Sequence, residues 1–272
     1  MPSSIATPAS FPRSSERAVE AAVELRGVSK RFYYYDHRTS SLREWFIRRV
    51  LQRPLNVRRA EFTLRSFDLR VGRGESVALI GSNGSGKSTA LRLIAGIYRP
   101  TCGTIKTRGR LTAVIELGAG FHPELTGADN VALYAAVLGL NRKELLARYE
   151  EIVDFAQMRE FMDTPLKYYS SGMEARLAFA VAVCLQPEIL LLDEVLAVGD
   201  QAFRDRCLAR LRAYHAAGGT LILVSHEIAQ IRELCSRAVW LERGVVRMDG
   251  DVARVLDAYS ASNSLIHNRG SR

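Results

Sequence analysis

The chain has 272 residues, of which 47% are apolar, and its 38 Lys and Arg against 29 Asp and Glu give a net charge of +9. This length allows one large domain or two small ones, and the apolar fraction is that of a globular protein. A collagen-like chain is excluded, because the 20 Gly follow no three-residue period. No apolar run reaches the roughly 18–20 residues that span a bilayer, and the N-terminus lacks the apolar stretch of a signal peptide. We therefore expect the chain to stay in the cytoplasm.

The charge surplus is concentrated in residues 31–73, which hold eleven Arg and no Lys against four acidic residues. Before this segment, the Ser- and Pro-rich residues 1–21 predict a disordered tail. Within it, the apolar residues of 40–53 recur with helical spacing and would share one face of an arginine-rich amphipathic helix. Two interpretations stay open: this helix packs on its own domain, or it lies at a membrane surface or partner, where Trp and Arg are favoured.

From residue 62 onward, short apolar strands alternate with helical stretches. The predicted strands are residues 76–80, 111–116, 189–192 and 221–225. Strands that alternate with helices indicate a mostly parallel α/β sheet. The block 127–180 is almost entirely helical in pattern and lies between two strand regions, so we expect a helical subdomain inserted on the α/β core.

The most informative stretch follows the first of these strands. The pattern G-x-x-x-x-G-K-[ST] is met by Gly81, Ser82, Asn83, Gly84, Ser85, Gly86, Lys87 and Ser88, with Thr89 opening a helix. Glycines let the backbone turn sharply, so that several N–H groups and the positive end of the helix face phosphate oxygens. Lys87 can neutralise the β- and γ-phosphates, and the Ser88 hydroxyl can bind Mg²⁺. The pattern predicts a nucleotide-binding loop.

Two further strands end in polar groups that suit the same chemistry. The run 189–192 is apolar throughout, which is typical of a central parallel strand, and it ends at Asp193 and Glu194. Ligands bind at the carboxyl ends of such strands, so Asp193 is placed to hold Mg²⁺, and Glu194 could accept a proton from the attacking water. The strand 221–225 ends at His226, which is a candidate donor near the γ-phosphate.

In order and spacing, these residues resemble the ATP-binding subunit of ABC transporters over roughly residues 22–250. Residues 169–173 (YSSGM) look like the family's signature motif, Asp193 and Glu194 match its Walker B pair, and Asp200 and His226 match its D-loop and switch positions. The resemblance implies the P-loop NTPase fold of ABC ATPases, with a mostly parallel core, an antiparallel β part and a helical subdomain. It implies ATP and Mg²⁺ as ligands. It also implies a dimer in which Ser170, Ser171 and Gly172 of one chain close on the nucleotide of the other.

The departures from the common motifs narrow the resemblance. The sequences YSSGM, LLDEVLAVGD and ELGAGFHPELTG are similar to those of polysaccharide-export members of the family. This subgroup implies a membrane permease dimer as partner, a lipid-linked glycan such as O-antigen or capsule as cargo, and a peripheral location at the cytoplasmic face of the bacterial inner membrane. The ATP-binding domain is expected over residues 22–260, with a short tail over 261–272.

Two site assignments depend on the resemblance and stay open in detail. No Gln stands in the Q-loop region, and Glu116 is the nearest equivalent, as a candidate contact to Mg²⁺. An aromatic side chain that stacks on adenine is expected among residues 32–35, with Phe32 and Tyr33 as the candidates.

Two other functions compete with export. A soluble ABC-type ATPase acting on nucleic acid would suit the basic balance, but its positive charge should then line a groove with aromatic side chains. Here the charge is concentrated in one segment, so no nucleic acid partner is expected. The ATP subunit of an importer or another transporter is the other alternative, and the YSSGM and LLDEVLAVGD sequences count against it.

Overall fold

The computed structural model describes residues 20–35, 57–115, 117–195 and 199–269. The strands are β1 (Ala21–Tyr35), β2 (Val57–Gly72), β3 (Ser76–Ile80), β4 (Cys102–Thr107), β5 (Leu111–Val114), β6 (Ile189–Asp193), β7 (Thr220–Val224), β8 (Arg237–Glu242) and β9 (Val245–Asp251). The α-helices are α1 (Lys87–Ile94), α2 (Gly127–Val137), α3 (Arg142–Leu146), α4 (Tyr149–Ala156), α5 (Ser171–Cys184), α6 (Gln201–Ala216), α7 (Ile228–Leu234) and α8 (Val252–Arg269).

The described strands form two sheets. A three-stranded antiparallel sheet has the order β2-β1-β4, and a six-stranded sheet has the order β5-β6-β7-β3-β8-β9. In the larger sheet every neighbouring pair is parallel except β8 and β9. A largely parallel core beside an antiparallel part confirms the predicted fold class.

The central strands are apolar throughout because both of their faces are buried. Along β3, Val77 and Leu79 pack in the hydrophobic cluster between the two sheets, whereas Ala78 and Ile80 pack in the cluster under the helices. Strands β6 and β7 alternate between the same two clusters. This is the physical reason that these strands read as continuous apolar runs rather than as alternating ones.

The block between β5 and β6 is helical, as its sequence pattern predicts. It holds α2, α3, α4 and two short 3-10 turns (Arg159–Phe161 and Leu166–Tyr168), and it leads into α5. The long helix α5 lies in the core, since its residues 177–184 are buried on all sides. In the part of the chain that the structure describes, no helix combines the length and the apolar composition that a membrane span requires.

The ends of the chain differ in part from the sequence-based expectations. Residues 1–19 of the predicted tail lie outside the described residues, while Ala21 already belongs to β1. The predicted arginine-rich helix over 40–53 also lies outside them. The expected domain boundary at residue 260 falls inside α8, which continues to Arg269, so residues 261–269 extend a helix rather than form a separate tail.

Candidate active site

The site is assembled by three neighbouring strands that end at the same edge of the larger sheet. Strands β6, β7 and β3 lie side by side and run parallel. The phosphate-binding loop follows β3, the acidic pair ends β6, and His226 follows β7. Segments that are more than 100 residues apart in sequence are thereby brought together, at the edge where ligands of parallel sheets bind.

The loop over residues 81–88 is held in shape by β8 and by the turn that follows it. Gly81 has a φ of +146°, and a Cβ there would lie 2.1 Å from the carbonyl oxygen of Leu241 on β8, so only glycine fits. On the other side, the N–H of Gly244 donates to the Ser85 carbonyl at 3.0 Å. Ser82, Asn83 and Gly84 at the tip are exposed, while residues 85–87 are buried. The loop is therefore rigid at its base and open at its tip.

The side chain of Ser85 supports phosphate binding in this loop. Its Oγ is buried, the residue is 2% exposed, and no hydrogen-bond partner for that atom exists among the described residues. Leaving a buried hydroxyl without a partner is unfavourable. An anionic oxygen bound in the loop would supply the missing acceptor, so the residues present fit a nucleotide phosphate.

Lys87 opens α1 and points back over the loop. Its Nζ donates to the carbonyl oxygens of Gly81 at 2.8 Å and Ser82 at 3.1 Å. Burial lowers the pKa of this ammonium group from its ordinary value, and the nearby carboxylates of Glu194 and Asp193 oppose that shift. The ammonium group is thus desolvated and fixed beside the loop, where a phosphate oxygen can replace a carbonyl as its acceptor.

Ser88 and Asp193 meet between α1 and the end of β6. Ser88 Oγ donates to Asp193 Oδ1 at 3.3 Å. Burial raises the pKa of the Asp193 carboxyl, and the hydrogen bond from Ser88 works against this effect. A hydroxyl and a carboxylate at this separation are the hard oxygen ligands that Mg²⁺ prefers, and a cation here would also offset the desolvation of Asp193. The donor set fits Mg²⁺.

Glu194 and His226 form a pair at the ends of β6 and β7. His226 Nε2 lies 2.8 Å from Glu194 Oε1, and both side chains are about half exposed. Glu194 has a φ of +57°, which is unusual for a residue other than glycine, and its N–H donates to the Val224 carbonyl at 2.9 Å. Backbone strain of this kind is concentrated at functional sites. This backbone conformation places the Glu194 carboxylate toward the solvent beside the phosphate-binding loop rather than in the core.

The loop that carries His226 is fixed by polar contacts that the sequence did not reveal. Ser225 Oγ donates to Gln230 Oε1 at 3.1 Å and accepts from the N–H of Glu227, and Gln230 Nε2 donates to Glu227 Oε2 at 2.6 Å. Ser225 and Gln230 are both buried. A polar residue six positions after a strand end gives no distinctive pattern, so this support for His226 emerges only from the structure.

The signature segment, residues 169–173, lies at the N-terminus of α5. Ser170 is the N-cap, and its Oγ accepts from the N–H of Met173 at 3.2 Å. Ser170 and Ser171 are exposed and Gly172 is partly buried. Among the described residues, no hydrogen bond or ion pair joins residues 170–172 to the phosphate-binding loop of the same chain. The structure therefore does not bring these three predicted residues into the site formed by β3, β6 and β7.

Asp200 is the N-cap of α6 and contacts the helix that carries the signature segment. Asp200 Oδ1 accepts from the N–H of Phe203 at 2.9 Å, and Oδ2 accepts from Arg176 Nη2 at 2.7 Å. The Phe203 N–H and the Arg176 guanidinium together lower the pKa of the Asp200 carboxyl. Arg176 could not be predicted, because no sequence pattern links two positions that are 24 residues apart.

Three predicted contacts are not decided by the structure. Glu116 lies outside the described residues, so its role stays a prediction. The Phe32 ring packs edge-on against Tyr98 with centroids 5.3 Å apart, and Lys30 Nζ lies 5.0 Å from the Phe32 centroid. Tyr33 is 49% exposed. Neither ring contacts the phosphate-binding loop through a described interaction, so adenine stacking by Phe32 or Tyr33 stays a prediction as well.

Comparison with known proteins agrees with this geometry. The family described as ABC transporter matches residues 64–197. The O-antigen export system ATP-binding protein RfbB of Klebsiella pneumoniae is 42% identical over 85% of this chain and 94% of its own length. The teichoic acids export ATP-binding protein TagH of Staphylococcus haemolyticus is 34% identical over 89% of each chain.

Solved structures share the fold at lower identity. An ATP-binding subunit of an ABC transporter superimposes with a TM-score of 0.69 at 23% identity, covering 88% of this chain and 93% of that one. A dimeric ATP-binding cassette in a post-hydrolysis state, bound to ADP and Pi, gives a TM-score of 0.67 at 22% identity, covering 85% and 98%. These relatives, together with the loop and the acidic pair at one edge of the same sheet, show that the chain belongs to the ABC transporter family, as an ATP-hydrolysing subunit.

Proposed function

We propose that this ATPase powers export of a lipid-linked polysaccharide through a separate membrane permease, as a peripheral subunit at the cytoplasmic face of the bacterial inner membrane. The observation that carries the proposal is similarity over nearly the whole chain to proteins named for O-antigen and teichoic acid export. The departures YSSGM and LLDEVLAVGD lie in the two motifs around the nucleotide and support the same subgroup.

The hydrolytic step follows from the contacts around the strand ends. Lys87 and the N–H groups of the loop bind the phosphates, and the buried Ser85 hydroxyl donates to one of their oxygens. Ser88 and Asp193 hold Mg²⁺, which neutralises charge on the phosphate oxygens when it is bound. Glu194 accepts the proton of the attacking water, and His226, paired with Glu194, holds the carboxylate in position beside the γ-phosphate.

A second copy of the chain completes each site in this proposal. Ser170 and Ser171 are exposed at the N-terminus of α5, where hydroxyl groups and free N–H groups favour an anion. Ser170 and Ser171 have no described contact to the phosphate-binding loop of their own chain. A partner's nucleotide would occupy this helix end, so that ATP joins two chains and hydrolysis separates them.

A small apolar patch offers a contact for the permease. Leu125 in the loop before α2, and Leu133 and Val137 on α2, are exposed by 37%, 37% and 62%. The buried Asn130 fixes this loop, since its amide donates to the carbonyls of His122, Leu125 and Thr126. The patch is therefore rigid as well as apolar, which suits contact with another protein.

The test measures ATP hydrolysis and export separately. Leu133→Glu with Val137→Glu places charge on the patch without touching the nucleotide site. We expect purified protein to hydrolyse ATP normally, while cells accumulate unexported polymer and the permease no longer co-purifies in detergent. Leu146→Glu, at an exposed apolar residue outside the patch, is the matched control. Normal export by the double variant would reject this contact, and recovery of nucleic acid instead of a membrane protein would reject the proposed function.

A further inference from the structure

Arg176 links the two segments that the proposed function assigns to the partner's site. It lies on α5, about one turn beyond the signature segment, and its guanidinium donates to Asp200 at the start of α6. We propose that Arg176 is a positioning residue: it fixes Asp200 and the signature segment relative to each other, so that both meet the partner chain as one rigid surface. The inference rests on the proposed paired-site dimer.

The contacts of Arg176 hold it from two sides. Its Cζ lies 4.9 Å from the centroid of the Phe203 ring, and Nη2 lies 2.7 Å from Asp200 Oδ2. Phe203 is 1% exposed and packs against Phe155 and Phe179, so the ring under the guanidinium is fixed by the core. A planar guanidinium can stack on a ring and donate to a carboxylate at the same time, whereas a lysine ammonium cannot do both equally well.

The Arg176–Asp200 pair differs from an ordinary surface ion pair because its arginine side chain is mostly buried. The Arg176 side chain is 19% exposed, while Asp200 is 65% exposed. The cation is therefore anchored, and the carboxylate presents its free face to solvent. Asp200 also accepts from the N–H of Phe203, so one carboxylate caps α6 and binds α5. A shift of α5 would move Asp200 with it, which couples the two segments.

The test is a double-mutant cycle that measures ATP-dependent dimerisation. It uses the Glu194→Gln chain as background, because slow hydrolysis should preserve the ATP-bound dimer. Arg176→Met removes the charge and keeps the stem, and Asp200→Asn keeps the oxygen that caps α6. Each change should weaken ATP-dependent dimerisation about three- to tenfold by analytical ultracentrifugation, and the double variant should be no weaker than the worse single one. With Glu194 intact, kcat should fall while KM for ATP stays within about twofold.

A matched control exists elsewhere in the fold. Arg247 has the same pair of contacts, over the Trp240 ring at 4.8 Å and to Glu242, but it lies on β9 away from the signature segment. The Arg247 side chain is more exposed than that of Arg176, so Arg247→Met should lower the melting temperature less than Arg176→Met, and it should leave dimerisation unchanged. Arg176→Lys, which keeps the charge, should restore part of the loss, and this separates positioning from simple destabilisation.

These measurements separate a failure of the role proposed for Arg176 from a failure of the paired-site dimer. If the Glu194→Gln chain stays monomeric at saturating ATP, the paired-site dimer fails and the role of Arg176 fails with it. If that chain dimerises and Arg176→Met dimerises equally well, only the inference on Arg176 is overturned. Additive effects of Arg176→Met and Asp200→Asn would overturn it too, because independent residues do not act through one contact.

Discussion

The phosphate-binding half of the site and the signature half are built in opposite ways. Lys87 is 5% exposed and finds its acceptors within its own loop, and Ser88 donates to Asp193 at the end of β6. Ser170 and Ser171, by contrast, are exposed at a helix N-terminus, and their chain offers them no phosphate. The first half takes its shape from one chain's core. The second presents donors outward, so we expect a ligand that another chain holds.

Among the variants of the phosphate-binding half, Glu194→Gln should have the largest effect on ATP hydrolysis. The amide keeps the shape of the side chain and removes the proton acceptor, so hydrolysis should fall by about 10²–10⁴, the usual contribution of a general base. ATP should still bind, and dimers should persist. Phosphate release and size-exclusion chromatography with ATP measure the two effects. Turnover close to that of the parent chain would remove Glu194 from the role of base.

Lys87→Ala should act on binding rather than on the reaction alone. Hydrogen bonds to a charged donor contribute enough that ATP affinity should fall by about 10- to 100-fold, while the fold stays intact. Equilibrium binding of a fluorescent ATP analogue measures the loss. Arg159→Ala, which breaks exposed ion pairs to Glu150 and Asp154, is the control and should bind ATP normally. Unchanged affinity in Lys87→Ala would contradict the assignment of the loop.

Mixing two inactive chains sharpens the contrast between the halves. A Ser170→Arg chain should block its partner's site, and a Glu194→Gln chain its own. In the mixed dimer one site keeps both native halves, so random pairing should restore about a quarter of the native rate. If both halves served the same chain, mixing would restore nothing. Each variant measured alone provides the baseline.

Tyr169→Phe tests the scaffold of the signature half and should have the smallest effect. The Tyr169 hydroxyl donates to the Phe161 carbonyl at 2.6 Å, and burial raises its pKa to about 12, so it keeps its proton under assay conditions. Losing one such bond should cost about 0.5–1.5 kcal/mol, or a few degrees in melting temperature. ATP binding should not change. A large fall in ATP affinity would show that Tyr169 acts on the first half as well.

Sequence patterns could place the elements of the first half because each of them is local. A strand, a glycine-rich loop and a helix start are contiguous, and the apolar runs of β3, β6 and β7 marked strands covered on both faces. What could not be predicted is the set of contacts between distant segments, such as Arg176 with Asp200 or Gln230 with Ser225. These depend on how helices pack against one another, and a single arginine or glutamine carries no pattern for that. The end of α8 at Arg269 was not predicted either.

Gly244 has a consequence for genetics. Its N–H holds Ser85 of the phosphate loop, its carbonyl accepts from the N–H of Arg65 on β2, and a Cβ at this position would lie 2.5 Å from the Thr63 carbonyl. Any other side chain would push the turn between β8 and β9 away from β2 and pull on the loop. In a screen for lost function, an allele at position 244, more than 150 residues from the loop, would therefore resemble an allele of the loop itself, and its suppressors should map to β2.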